Sequence, residues 1–192
     1  MPDGGGRARS VIPTFHTARL ALRPFRPSDA PALASALDDW EVTRWLSGPP
    51  WPYSEADARA FIAETAEDGV KVWAIARKGE GLVGSIALGA EIGYWVRRAC
   101  WRRGYGGEAL QAVLARHFAG GSPDGADPDA TPAGQDVRAG VHPDNLRSTS
   151  LLRKSGFVPD GTDRTWFPCR GAMVDRPMFR LTRPAWEAAR RA

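Results

Sequence analysis

Cysteine is almost absent from this chain. Cys100 and Cys169 are the only two among 192 residues, too few for a disulfide framework and at no metal-ligand spacing, so no metal centre is expected either. Long apolar runs are missing too: none approaches the roughly 18 residues that span a bilayer, so no membrane role is expected. Lys and Arg number 26 against 22 acids, a net charge of +4. The cations are scattered rather than gathered into a block, so nucleic acid is not expected as the main ligand. Residues 1–13, MPDGGGRARSVIP, are Gly-rich and lack the apolar stretch of a signal peptide. They read as a disordered tail, and the protein as soluble and cytoplasmic. Periodicity is missing again in residues 120–136, GGSPDGADPDATPAGQD. That segment reads as a flexible insertion, and with Asp124, Asp127, Asp129 and Asp136 but no basic residue it is unsuited to phosphate. The length from 14 to 192 suits one domain with a real core.

What is present centres on Trp101–Leu110, WRRGYGGEAL. Gly104, Gly106 and Gly107 open a run in which Leu110, Val113, Leu114 and Phe118 share one helical face. Gly84–Val96 ahead of it holds two β-rich runs, so the order is strand, glycine turn, helix. Glycine lets backbone approach an anion closely, and the helix start supplies unpaired N–H donors and a positive dipole end. Arg102 and Arg103 add fixed charge. This is the pattern of a diphosphate cradle. A tight turn before a surface helix is the plainer alternative, because neither G-x-G-x-x-G nor the Walker pattern occurs.

The rest alternates between short strands and helices. Leu20 and Leu22 mark a strand that Pro24 and Pro27 end, Ser28 is the expected cap of a helix through Leu33 and Leu37, and Glu41–Leu46 is a second helical piece. Ser54 with Asp57 caps a helix carrying Ala58, Phe61, Ile62 and Thr65. Val70–Ala76 and Gly81–Leu88 read as a hairpin, Glu91–Val96 and Val137–Val141 as strands, and Asn145–Ser155 as a helix. Strands at Gly156–Asp160 and near Met173–Leu181 and a helix at Pro184–Ala192 close an α+β chain.

Three segments in order resemble the GNAT superfamily of acetyl-CoA-dependent N-acetyltransferases, in its RimJ/RimL-like branch. WRRGYGGEAL resembles the acetyl-CoA loop, NLRSTSLLRKSGF the N-x-x-S-x-x-x-x-x-K-x-G-F segment, and TARLALRP (Thr17–Pro24) the branch's opening. The resemblance implies a central mixed, mostly antiparallel sheet with a splay between two strands, flanked by helices. It implies acetyl-CoA as co-substrate and no metal. Trp95, Val96 and Arg97 would supply backbone to the pantetheine, with a Val96 amide facing the thioester oxygen. Arg102, Arg103, Gly104, Tyr105, Gly106 and Gly107 would form the diphosphate loop, with Asn145 and Lys154 added from the second segment. Arg102 departs from the pattern, which has glycine there.

Amide formation from a thioester needs a deprotonated amine, a stabilised oxyanion and a route for the thiolate to leave. Many relatives place a tyrosine seven residues after the Asn, but here that position is Leu152, so the resemblance assigns the proton donor to Ser148. The branch's Gly-Phe-x-x-Glu-Gly stands here as GFVPDG, making Asp160 a candidate base. An Asp-Gly turn explains the same residue. Glu91 is a second candidate base and Asp175 a third. Cys100 has no activating partner in sequence and reads as an idle thiol, while Glu108 compensates the helix dipole. Trp40, Trp45, Trp51 and Tyr53 suit either packing or the acceptor wall.

The expected partner is an amine acceptor, foremost a protein or peptide N-terminal α-amine. Two alternatives stand beside it. One is a small amine, an antibiotic or a polyamine, although no acidic cluster outside 120–136 suits a polyamine. The other is a catalytically weak acyl-CoA-binding regulatory domain. Monomer and homodimer are both compatible.

Overall fold

Side chains on the two faces of the strands pack into two separate cores. The computed structural model describes residues 12–67, 71–119 and 135–191. Its elements begin with β1 (Phe15–His16), β2 (Ala21–Arg23), α1 (Ala30–Leu37), α2 (Trp40–Thr43) and α3 (Glu55–Glu67). A meander follows, β3 (Lys71–Arg77), β4 (Gly81–Leu88) and β5 (Ile92–Val96), then α4 (Tyr105–Ala119). The chain closes with β6 (Val137–Gly140), α5 (Leu146–Lys154), β7 (Val158–Phe167), β8 (Ala172–Leu181) and α6 (Arg183–Ala189).

Strands β1 to β5 form one antiparallel sheet in chain order, and β6, β8 and β7 form a second. The two meet edge to edge at β5 and β6, which touch without pairing. Trp73, Ile75, Val83 and Ile86 face a core shared with α4, α5 and α6, while Ala74 and Leu82 face another shared with α1 and α3. Both faces being covered explains why Val72–Ile75 reads as an unbroken apolar run.

The caps are mostly where the residue types put them. Ser54 and Asp57 exchange backbone donors at 2.8 and 3.2 Å, a capping box for α3. Ser28 is not a cap: Asp29 precedes α1, and its carboxylate takes both Arg23 nitrogens at 2.7 Å. The strand expected at Gly156–Asp160 runs on to Phe167, and Asp160-Gly161 falls in a register shift between Pro159 and Thr162 rather than in a turn. Of the expected tail, Ile12 packs on the core and the Pro13 carbonyl accepts from Trp73 Nε1 at 3.0 Å; its first eleven residues lie outside the described ones. So do residues 120–134 of the expected insertion.

Arg176 fastens the two sheets. It stands on β8, runs beneath β6 and reaches Glu91 just ahead of β5, at 2.7 and 3.0 Å. Gly140 makes the passage possible, since a Cβ there would lie 2.2 Å from the guanidinium. Asp163 holds the same arginine at 2.7 and 2.8 Å. The sheets are therefore pinned at the Glu91 end of β5, and a cavity fills the gap at its Val96 end.

Candidate active site

Val96 pairs with Gly84, and the next amide, Arg97 N, bonds Val83 O at 2.9 Å. In an antiparallel ladder this makes Val96 a non-hydrogen-bonded position, so its N–H and C=O point away from β4 into the gap. The carbonyl is taken by Trp101 Nε1 at 2.6 Å, and the amide remains directed at the cavity.

The chain then turns into α4 through two left-handed residues, Arg102 (φ 61°) and Gly104 (φ 79°). A non-glycine residue there costs about 1–2 kcal/mol, the physical reason the family pattern has glycine where this chain has Arg102. The first α4 bond runs from Glu108 N to Gly104 O at 3.0 Å. The amides of Tyr105, Gly106 and Gly107 thus precede the helical ladder.

Glu108 ties this turn to the N-terminal segment. Thr17 Oγ1 and the Arg19 amide donate to its Oε1 at 2.5 and 3.0 Å, and Arg19 Nε to its Oε2 at 2.6 Å. Burial pushes Glu108 up, but these donors outweigh it and hold the carboxyl below its usual value. Arg19 also donates to the Arg103 carbonyl at 2.9 Å. TARLALRP and WRRGYGGEAL are therefore two halves of one brace, and dipole compensation alone understates Glu108.

A cavity of about 400 Å³ lies between β5, the glycine turn and α5. Trp95, Val96, Arg102 and Gly104 line it, as do Tyr105, Gly106, Gly107, Asn145 and Ser148. Its charged lining residues are both cations, Arg102 and Arg147, the latter stacked 4.6 Å over Trp101. Asn145 caps α5, accepting from Ser148 N at 3.2 Å, and also lines the cavity. On the same wall the Tyr94 hydroxyl lies 3.0 Å from Ser148 Oγ. Burial pushes this phenol up to about 12, against a small opposing pull from the Ser148 bond. Tyr94, Trp95 and Leu46 also line a second cavity of about 560 Å³ beside α3.

The Acetyltransferase (GNAT) domain model matches residues 19–158. The chain belongs to the GNAT acetyltransferase family. Among its relatives, the uncharacterized N-acetyltransferase p20 of Bacillus licheniformis is 27% identical over 180 residues, 88% of this chain and 95% of the relative. Mycobacterium smegmatis RimJ, solved with CoA-disulfide, has a TM-score of 0.68 at 24% identity, covering 90% of this chain and 87% of that one. A RimL ribosomal-protein acetyltransferase bound to coenzyme A has a TM-score of 0.68 at 21%, covering 91% and 99%. At those identities the two structures speak to the GNAT fold.

GNAT acetyltransferases use acetyl-CoA, and the residues present fit it. Two lining arginines and the amides at the start of α4 suit phosphates, while the unpaired edge of β5 suits a pantetheine amide. Not every expected residue lines the cavity. Arg103 and Arg97 lie against Glu80, at 3.2 and 3.7 Å, and Lys154 ends α5, exposed; none lines the cavity. Asp160 pairs with Arg138 and Arg180 at 2.9 and 3.7 Å, and Glu91 chelates Arg176. Neither lines either of the two cavities, and their oxygens are engaged by guanidinium groups. Asp175 faces Arg164 at 3.6 Å on the exposed hairpin. Leu152, at the position of the usual tyrosine, is buried in the core. Cys100 is buried and accepts from Arg97 Nε at 3.0 Å.

Tyr94 is a cavity-lining residue that sequence reasoning missed. Its signal is the period of two along β5, which puts Ile92, Tyr94 and Val96 on one face. Among the described residues no helix is long and apolar enough to cross a membrane, and no group of three or more His, Cys, Asp or Glu could hold a metal ion.

Proposed function

We propose that this GNAT acetyltransferase acetylates the α-amine of a peptide or protein N-terminus by direct attack on the thioester. Bound acetyl-CoA supplies an activated acyl carbon and a thiolate leaving group. Arg102, Arg147 and the amides of Tyr105, Gly106 and Gly107 would hold its phosphates, and the edge of β5 with Asn145 its pantetheine arm. The Val96 amide is a fixed donor for the charge that develops on the carbonyl oxygen.

The observation that carries the reading is the Tyr94–Ser148 hydroxyl pair on the wall of the first cavity. Ser148 Oγ hands a proton to the departing sulfur and recovers one through Tyr94, which passes on the proton given up by the attacking amine and so stays neutral. Coenzyme A is a good leaving group, with a thiol pKa near 8.5 by analogy with cysteine, so two neutral hydroxyls suffice. Asp160 and Glu91 are engaged by arginines, which leaves an acceptor that loses its own proton readily as the best match. An α-amine has a pKa near 8 and a lysine near 10.4, a gap worth about 3.3 kcal/mol at pH 7.

The test compares kcat/KM for a peptide with a free α-amine and for one with that amine blocked and a lysine offered. The α-amine is expected to win by at least tenfold. Equal or better use of the lysine peptide overturns the assignment.

A further inference from the structure

The cavity beside α3 carries charge of one sign. Its floor is apolar, with Leu37, Phe61 and Val72, and its charged lining residues are Asp57 and Glu64. These stand seven positions apart on α3, two turns along one face. Spacing along the chain does not say that this face is aimed at a cavity, so the acidic groove emerges only from the packing.

Three observations separate this from an ordinary solvated helix face. Glu64 makes no hydrogen bond or ion pair among the described residues. Asp57 keeps its carboxylate charged as the α3 cap, since the Ser54 hydroxyl and amide hold its pKa below the usual value. Tyr53 lines the same cavity, is only 6% exposed, and its phenol has no hydrogen-bond partner among the described residues. Burial first, then the charges of Asp57 and Glu64, push that phenol up to about 12, which places both carboxylates within its electrostatic reach. A side chain that is itself largely buried, with an unpartnered hydroxyl open to the cavity beside two carboxylates, is an unfilled polar site.

Because this cavity shares Leu46, Tyr94 and Trp95 with the first, an acceptor seated in it lies beside the acetyl-CoA cavity. The reacting amine must be neutral to attack, so the two carboxylates serve another group. We infer that the cavity selects amine acceptors bearing a second, cationic group, which Glu64, Asp57 and the Tyr53 hydroxyl bind while the apolar body rests on Phe61 and Val72. This rests on the reading of the chain as an amine acetyltransferase. The same chemistry has two sources, a peptide with a basic residue beside its N-terminus and a free polyamine.

Calorimetry on the full chain saturated with coenzyme A tests it without turnover. The probes are the tripeptide amides Ala-Lys-Ala and Ala-norleucine-Ala, which differ by one ammonium, and spermidine. The lysine peptide is expected to bind about fivefold tighter than its neutral partner at low salt, a preference that fades in about 0.5 M salt because the carboxylates are solvent-facing. Glu64→Gln, which breaks no hydrogen bond, should reduce the preference to less than about twofold while leaving the norleucine peptide unaffected. Spermidine binding tighter than the lysine peptide assigns the site to polyamines, and weaker binding assigns it to peptides. Equal affinity for the two peptides, or a preference that survives Glu64→Gln, overturns the inference. Failure to acetylate any amine while this binding pattern holds counts against the proposed activity instead.

Discussion

The Tyr94 hydroxyl stands 3.0 Å from the Ser148 hydroxyl, joining β5 to the first turn of α5. A strand and a helix far apart in sequence thus deliver two proton-carrying groups to one wall of the cavity. If they act as a unit, their losses do not add. Ser148→Ala and Tyr94→Phe are each expected to lower kcat about tenfold, and the double variant little further, with coenzyme A affinity unchanged by calorimetry. Since the phenol keeps its proton up to about 12, the kcat profile of the wild type should show no descending limb from Tyr94 up to about pH 10. Multiplicative losses in the double variant would mean the hydroxyls act separately.

Gly106 separates space from charge. A Cβ there meets Val96 Cγ2 at 3.6 Å, an ordinary contact, so Gly106→Ala should fold and bind coenzyme A within about threefold of wild type. Gly106→Asp sets a like charge against the phosphates and should weaken binding at least tenfold, about 1.4 kcal/mol. Undiminished affinity in a folded Gly106→Asp protein would move the diphosphate elsewhere.

The brace on Glu108 has a pH signature. Its folded carboxyl is held below the usual value by Thr17 and Arg19, so its stabilisation is complete above the unfolded pKa and is lost as pH falls through the folded one. Glu108→Gln should cost about 1–3 kcal/mol at pH 7. Melting curves of the two proteins should converge as pH drops beneath the carboxylate range; a constant offset at every pH would assign the loss to packing.

The Arg176 pin separates structure from catalysis. Glu91→Gln leaves the charged Arg176 against a neutral amide, with Asp163 still holding it, and should lower stability by about 1 kcal/mol, the side chain being a third exposed at 33%. Turnover per folded molecule should stay near wild type. Loss of activity with an unchanged melting temperature would restore Glu91 as the base.

Sequence by itself determined the local parts of this protein. The strand–glycine turn–helix order, the Ser54–Asp57 and Asn145 caps, and the apolar faces of α4 and β3 depend on neighbours within a few positions, and those interactions are written in consecutive residues. The three resembling segments carry the family's signature in the same way, each as a short run of adjacent residues. What only the tertiary structure decided was the set of partners across distance. Glu108 reads as a helix-start carboxylate until Thr17 and Arg19 arrive from the other end of the chain. Glu91 and Asp160 read as free acids until β8 and β6 bring arginines to them. Tyr94 and Ser148, or Asp57, Glu64 and Tyr53 around one cavity, acquire meaning only when separate elements are packed together. Hydrogen bonds and ion pairs act over a few ångströms, and which groups come that close is set by sheet register and helix packing rather than by spacing along the chain.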